Sequence, residues 1–401
     1  MKFNTSVSPD LIWTGDINHR SEVQDGFDRT RTVRFYDTTL RDGEQAVGVV
    51  FSADAKFEIA CQLSELGVGR IESGFPRVSE EDTEAVRRVL AANLKSEIWG
   101  FARAVKADID AHIELGTTAV LIEIATSEQK MKAYGFTRES VIARLTDAIK
   151  HARAHEMRVN FFPVDSTRSD LGFLEQVYKA AIAAGATEVS VVDTIGACAP
   201  EAVQFLIRNV ASWVGPAVPI HWHGHNDFGL ASASAFAAVR GVATWIQGTI
   251  NGMGERAGNA DICEVALALQ CLYNVPVEMD LSKARQVSEL VRKAGDYQVD
   301  RWKPVVGDAL FVRESGAVAA QFHMPDAIEP YSSTLVAARR GIVLGKKSGL
   351  ANIEIKVKEL GLAVTTDKFP ALLAQVKDLS TRTHRLVTDA EFKKMAGEPL
   401  P

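Results

Sequence analysis

From about residue 33 the chain repeats one pattern eight times, a short β-branched or apolar run followed by a longer amphipathic stretch. Strands alternating with helices produce a parallel sheet wrapped by helices, because parallel neighbours need long crossovers and helices supply them. The expected strands fall near 33–38, 68–74, 97–103, 118–125, 157–164, 187–193, 218–225 and 244–250, with helical patterns such as Ala53–Leu66 and Thr83–Asn93 between them. Eight such units in about 250 residues predict an α/β fold of the (β/α)8 TIM-barrel type. A doubly wound sheet would carry a glycine-rich phosphate turn after its first strand. Here that turn reads Thr38-Thr39-Leu40-Arg41-Asp42.

After about 275 the character changes to a helical run (Leu281–Ala294), a stretch rich in Gly, Pro and Ser around 304–349, and another helical pattern from 350. The expected organisation is a barrel domain over 1–275 and a smaller, mostly helical region over 276–401. With 401 residues, 46% of them hydrophobic, the chain can bury a core large enough for both.

Charge and cysteine usage narrow the classes of function. A net charge of −6 leaves no footprint for nucleic acid, and the short pairs Arg339-Arg340 and Lys346-Lys347 read as solvated surface. Cys61, Cys198, Cys263 and Cys271 form no CxxC pair and sit in apolar segments, as reduced thiols do in the cytoplasm. Residues 1–32 are polar and lack the apolar core of a signal peptide, and no stretch reaches the roughly 18 apolar residues that span a bilayer. The expectation is a cytoplasmic protein without a membrane or nucleic-acid partner.

Alternate residues of a strand project from one face, so His223 and His225 present two imidazoles to one point. Closing a barrel makes strands 7, 8 and 1 neighbours, which brings in Asp42 after strand 1 and Asn259 after strand 8. All lie toward the C-terminal ends of their strands, where barrel enzymes carry their chemistry. Two histidines, one carboxylate and an amide oxygen suit a divalent Mg, Mn or Zn ion with positions open for substrate. His221, one step deeper on the same face, reads as a group behind the ligands or a polar core residue. Such a metal polarises the carbonyl of a 2-oxo acid, and Arg41 beside Asp42 can stabilise an adjacent enolate. The competing reading of Arg41 is a salt bridge at the barrel rim.

These residues resemble the DRE-TIM metallolyase superfamily, most closely its isopropylmalate and homocitrate synthase branch. The resemblance rests on 36–45 (Tyr-Asp-Thr-Thr-Leu-Arg-Asp-Gly-Glu-Gln), 71–76 (Ile-Glu-Ser-Gly-Phe-Pro), Asp193-Thr194-Ile195-Gly196, 223–227 (His-Gly-His-Asn-Asp), 251–259 (Asn-Gly-Met-Gly-Glu-Arg-Ala-Gly-Asn) and 344–349 (Leu-Gly-Lys-Lys-Ser-Gly). It implies a metal held by Asp42, His223, His225 and Asn259, a catalytic Arg41, a substrate carboxylate bound by Thr194, and Gln45 and Glu72 lining the site. It further implies acetyl-CoA as cosubstrate, condensed through its enolate with a 2-oxo acid. The working unit would be a homodimer whose region after the barrel reaches the partner's active site. The chain also stops short of the regulatory domain of long isopropylmalate synthases, so leucine feedback is not expected.

The departures from that pattern are specific. On strand 5, Phe162 and Val164 stand where the synthases place a serine and a glutamate, and Asn160 stands where the homocitrate type has a substrate-binding arginine. On strand 4, Leu121 replaces a histidine and Glu123 an aromatic residue. After the barrel, Val318 and Ile328 align with the catalytic histidine and tyrosine. Phe162, Val164 and Asn160 therefore stand as candidate substrate contacts. His323, Glu123 and Glu72 stand as candidate acids or bases beside Arg41. For His323 the competing reading is a solvated loop residue, and for Glu123 a buried ion pair with Arg103. Three readings remain open: condensation of an acyl-CoA with a 2-oxo acid, as the resemblance implies; metal-dependent carbon–carbon cleavage without CoA; and a catalytically silent binding protein that keeps the metal site as a sensor.

Overall fold

The computed structural model describes residues 7–397. They divide into two compact units, one built on Gly15–Val299, the other on Pro9–Thr14 together with the chain from Asp300 onward.

In the first unit, eight parallel strands close into a barrel in sequence order: β1 (Arg34–Asp37), β2 (Arg70–Glu72), β3 (Glu97–Arg103), β4 (Ala119–Ala125), β5 (Arg158–Val164), β6 (Glu188–Asp193), β7 (Ile220–Gly224) and β8 (Trp245–Gly248). Closure is the β8 to β1 pairing, in register from Arg34 opposite Trp245 to Asp37 opposite Gly248. The architecture is the expected TIM barrel, with each strand starting within about two residues of its predicted position.

Local chemistry explains where the helices begin and end. The helix Ala53–Leu66 starts at Ser52, whose side chain accepts from the Ala55 N–H, and stops at Gly67 in the left-handed conformation. The helix predicted at Thr83–Asn93 begins earlier, at Glu80, because Ser79 caps it and Glu80, Glu81 and Asp82 favour the positive end of its dipole.

The lumen holds two kinds of filling. Phe101, Leu121, Phe162 and Val192 form one apolar cluster with Tyr36, Trp99 and Trp245. Beside it lies a polar layer at the N-terminal end of the strands. Arg70 is clasped between the rings of Trp99 and Trp245, 4.6 and 3.8 Å from their centroids, and donates to Glu188 at 2.5 and 3.0 Å. His221 Nε2 meets Glu188 at 2.7 Å, and Gln247 bridges His221 Nδ1 and the Ser190 hydroxyl.

The expected domain boundary at 275 needs correction. The amphipathic helix Ala284–Ala294 belongs to the barrel unit, where it packs on Ala53–Leu66. The second unit carries a two-residue parallel pairing of Val312–Arg313 with Gly341–Ile342. Its helices Leu350–Glu359, Phe369–Thr383 and Asp389–Met395 enclose Leu344, Ile353, Leu372, Val376 and Phe392. Among the described residues no helix is long and apolar enough to cross a membrane.

Candidate metal centre and active site

The mouth of the barrel is assembled from chain that has just left a strand. The turn after β1 delivers Arg41 and Asp42, fixed by Asp37, which accepts from the Thr39 backbone at 2.8 Å and the Thr39 hydroxyl at 2.9 Å. Thr39 Oγ1 in turn accepts from Ile250 N beyond β8, locking the two loops together. Burial raises the Asp37 carboxyl to about 7 against these hydrogen bonds.

The loop after β8 folds back so that Asn259 bridges His225. Only glycine fits at its crossing point. Gly258 sits at φ +82°, and a Cβ there would run into the Gly252 carbonyl.

Asp42, His223 and His225 converge, with one ligand atom from each lying within 4.8 Å of the others, and all three are buried. His223 Nε2 is 3.2 Å and His225 Nε2 3.7 Å from Asp42 Oδ2. That oxygen accepts no hydrogen bond, and neither does Asn259 Oδ1, whose amide nitrogen is turned away to Met253 O at 3.1 Å. Buried carboxylate and amide oxygens are rarely left without a donor. Asp42 Oδ2 beside two imidazoles is the donor set of a divalent cation with mixed nitrogen and oxygen ligands, and Asn259, bridged to His225 through its backbone, adds a further unpartnered oxygen, so the residues fit the group. Burial opposes ionisation of Asp42, but Arg41 and then His223 and His225 outweigh it and hold the carboxyl far below its usual range. Burial drives His225 down to about 4, so its imidazole is neutral, the form that ligates.

Arg41 is held on three sides. Its Nε donates to Glu72, its plane lies 4.4 Å from the Phe101 centroid, and Nη1 is 3.7 Å from Asp42 Oδ1. Nη2 is buried and donates to nothing. The salt bridge foreseen as an alternative therefore exists, yet it leaves one N–H fork unspent toward the mouth. Glu72 also accepts from the Tyr36 hydroxyl at 2.9 Å, so the carboxylate is pinned by donors on both sides.

The other predicted residues divide. Thr194 Oγ1 accepts from Asp165 N at 2.8 Å and keeps its own proton to donate. Its carbonyl is clamped by Arg256, which also grips Asp227 at 2.8 and 3.0 Å. Phe162 stands edge-on to His223, 5.2 Å between centroids, and Val164 packs on the same apolar cluster. Glu123 is half-buried at the end of β4 and makes no hydrogen bond or ion pair through its carboxylate among the described residues. Its foreseen partner is taken, since Arg103 donates to both oxygens of Asp108 at 2.7 and 3.0 Å. Burial raises Glu123 to about 7, with Arg41 opposing and Glu72 reinforcing the shift.

Asn160 and Gln45 are not brought to this centre. Asn160 is fully buried in the deep polar layer, where it accepts from Ser190 at 3.0 Å. Gln45 projects exposed from the turn Gly43–Gln45. His323 lies exposed on a turn of the second unit.

Tyr36, Asp37, Asp227 and Arg256 were missed as functional. All four belong to or adjoin the motif stretches, and the available signal was a second polar residue within a few positions of each ligand.

Comparison with known proteins agrees with this geometry. The HMGL-like family matches residues 32–291. A 2-isopropylmalate synthase of Methanocaldococcus jannaschii is 40% identical over 91% of this chain and 71% of its own length. A homocitrate synthase of Methanopyrus kandleri is 39% identical over 91% and 92%. The crystal structure of a hydroxymethylglutaryl-CoA lyase from Pseudomonas aeruginosa superposes with a TM-score of 0.62 at 21% identity, covering 68% of this chain and 96% of that one, a likeness of fold. The chain belongs to the HMGL-like family and, within the DRE-TIM metallolyases, to the branch of the isopropylmalate, homocitrate and citramalate synthases.

Proposed function

We propose that the protein is a metal-dependent acyltransferase that condenses acetyl-CoA, or a related acyl-CoA, with a 2-oxo acid, after which water hydrolyses the resulting thioester to give a 2-alkylmalate and free CoA. The observation that carries the reading is the set of unspent buried polar atoms at the mouth: Asp42 Oδ2, Asn259 Oδ1 and Arg41 Nη2, beside two imidazoles.

Asp42, His223, His225 and Asn259 would hold the cation. When bound, a divalent ion there supplies a Lewis acid for the ketone of the 2-oxo acid. Arg41, fixed by Glu72 and Phe101, offers Nη2 to the developing oxyanion with no reorganisation at the moment of reaction. The Thr194 hydroxyl donates to the substrate carboxylate.

Glu123 takes the proton from the acyl methyl. A base poised near neutrality suits that task, and its position within electrostatic reach of Arg41 puts the developing enolate beside a fixed positive charge. Leu121, Phe162 and Val164 line the approach with apolar surface, which disfavours a second carboxylate on the 2-oxo acid. By the resemblance, the working unit is a homodimer.

Incubation with Mn or Mg, acetyl-CoA and a panel of 2-oxo acids with apolar side chains should release free thiol. Metal-loaded protein that releases none across the panel would sink the reading. Val318 and Ile328, at the positions of the family's catalytic histidine and tyrosine, favour a second reading, retro-aldol cleavage of a hydroxy acid without CoA. Strict dependence of turnover on CoA excludes it.

A further inference from the structure

One residue after β5 the chain reverses. Asp165 sits at φ +65° and ψ 37°, the left-handed region, between Val164 at the end of the strand and the turn Ser166–Arg168. Glycine takes that conformation without steric cost, whereas an aspartate stays in it only where its surroundings hold it. Here they do. The fully buried Asp165 carboxylate accepts from Arg168 Nε at 2.9 and 3.1 Å, from Arg168 Nη2 at 2.6 Å and from the Ser127 hydroxyl at 2.5 Å. Its neighbours stitch the turn to the ends of β4 and β6. Thr126 N donates to Val164 O at 3.1 Å, Ser169 Oγ to Thr126 Oγ1 at 2.9 Å, and Thr167 Oγ1 to Asp193 Oδ1 at 2.9 Å.

What this anchored reversal delivers is one backbone N–H. Asp165 N donates to Thr194 Oγ1 at 2.8 Å. A hydroxyl accepts on its lone pairs, donates one proton, and rotates to suit its partners. With an amide fixed on one lone pair, and with Thr194 Oγ1 donating to nothing among the described residues, that proton is directed away from the amide. The Thr194 carbonyl is held separately by Arg256, so both the side chain and the main chain of this residue are fixed. A donor ordered before the substrate arrives binds a carboxylate without a further loss of rotational freedom.

We propose that Asp165 is a positioning residue for the 2-oxo acid: its carboxylate, clamped by Arg168 and Ser127, holds the backbone N–H that aims the Thr194 hydroxyl at the substrate carboxylate. The inference rests on the synthase reading and adds to it a source of affinity for the 2-oxo acid that lies outside the metal's ligands. The Asp165 carboxylate is spent on the clamp, so its effect passes through Thr194.

The test is a double-mutant cycle in steady-state thiol release by the full-length, Mn-loaded protein, with acetyl-CoA and with pyruvate, 2-oxobutanoate and 2-oxoisovalerate as probes. Thr194→Val removes the hydroxyl, and Asp165→Asn weakens the clamp while keeping the shape of the side chain. Each should raise KM for the 2-oxo acid by about tenfold, with kcat within about twofold and with KM for acetyl-CoA and Mn affinity unchanged. The double variant should be no worse than Thr194→Val alone, because the clamp then has nothing left to aim. A merely structural role makes the two effects multiply. Arg168→Gln, at a side chain 33% exposed, repeats the cycle from the other side of the clamp if thermal unfolding shows that Asp165→Asn does not fold. Multiplying effects, or an unchanged KM for the 2-oxo acid in Thr194→Val or in the folded clamp variant, overturns the assignment, while turnover leaves the synthase reading standing. Wild type that releases no thiol with any of the probes overturns both.

Discussion

Two buried polar clusters stand one strand step apart on the same strand. His221 belongs to the deep one, His223 to the one at the mouth, and both imidazoles point into the lumen. In the deep cluster every charged atom is matched: Arg70 by Glu97 and Glu188, Glu188 by Arg70 and His221. The leftovers there, Asn160 Nδ2 and Gln247 Oε1, are uncharged amide atoms. At the mouth the leftovers are a carboxylate oxygen of Asp42, a guanidinium nitrogen of Arg41, the Asn259 amide oxygen and the Nδ1 atoms of His223 and His225. A satisfied network specifies packing; an unsatisfied charged one waits for a ligand. Strand periodicity alone cannot separate the two, because it places both histidines on one face.

The largest effect expected from this contrast is the loss of the mouth's ligands. Asp42→Asn or His223→Ala should leave purified protein without stoichiometric metal and cut turnover by about a thousandfold or more, several kcal/mol of transition-state stabilisation. Elemental analysis alongside thiol release checks it. Metal retained in both variants would erase the distinction between the clusters.

Changing the deep cluster should do the converse. Glu188→Gln leaves Arg70 buried without its counter-charge and should destabilise the fold by about 3 kcal/mol while metal content stays at the wild-type level. Denaturant unfolding measures the first and elemental analysis the second. Burial opposes ionisation of Glu188, but His221 and Arg70 win and hold it at about 2, so the pair's stabilisation is present above the ordinary glutamate range and is lost as pH falls toward 2.

Arg41→Ala sharpens the comparison within the mouth itself. It removes the unspent donor and the 3.7 Å ion pair to Asp42 Oδ1 but no ligand atom, so kcat should fall by about a hundredfold to a thousandfold with metal still bound. Glu123→Gln should follow, with about a hundredfold loss. Glu123 must be ionised to act as a base, so wild-type kcat/KM should rise as pH climbs through about 7, and the glutamine variant should lose that inflection. An inflection that survives in Glu123→Gln assigns the proton transfer to another group. The stability sign runs the other way. A carboxyl raised in the folded state binds more protons than the unfolded chain between the ordinary glutamate range and about 7, so wild-type stability falls as pH rises through that window.

How much of this was legible in the sequence follows from the range of each interaction. The barrel was, because alternating strand and helix patterns are local and closure then fixes neighbours: β7, β8 and β1 had to meet. The convergence of Asp42 with His223 and His225 follows from that closure. What escaped was pairing between side chains distant in sequence with no local mark. Arg70, Glu188 and His221 lie on three strands, and nothing near any of them names the others. Arg103 was matched to Glu123, its lateral neighbour in the sheet, but it turns to Asp108 five residues on, in the first turn of the next helix. The helix Ala284–Ala294 was recognised as amphipathic, yet periodicity does not say which core its apolar face covers, hence the misplaced domain boundary.

Tyr36 connects the two clusters and supplies the smallest effect. Its ring meets the His221 ring edge-on at 5.9 Å, while its hydroxyl donates to Glu72, the carboxylate that holds Arg41. Tyr36→Phe keeps the ring and removes only the donor. Glu72 remains buried and paired with Arg41, so the change costs one hydrogen bond to a charged acceptor, about 1.5 kcal/mol. If the deep cluster only packs and the mouth only reacts, that cost falls on Arg41's orientation and appears as roughly a tenfold loss in kcat, with KM, metal content and the pH inflection unchanged. If the cost appears instead as lowered stability at full activity, Tyr36 belongs to the packing network, and the division between the clusters lies one residue higher in the lumen than the hydrogen bonds place it.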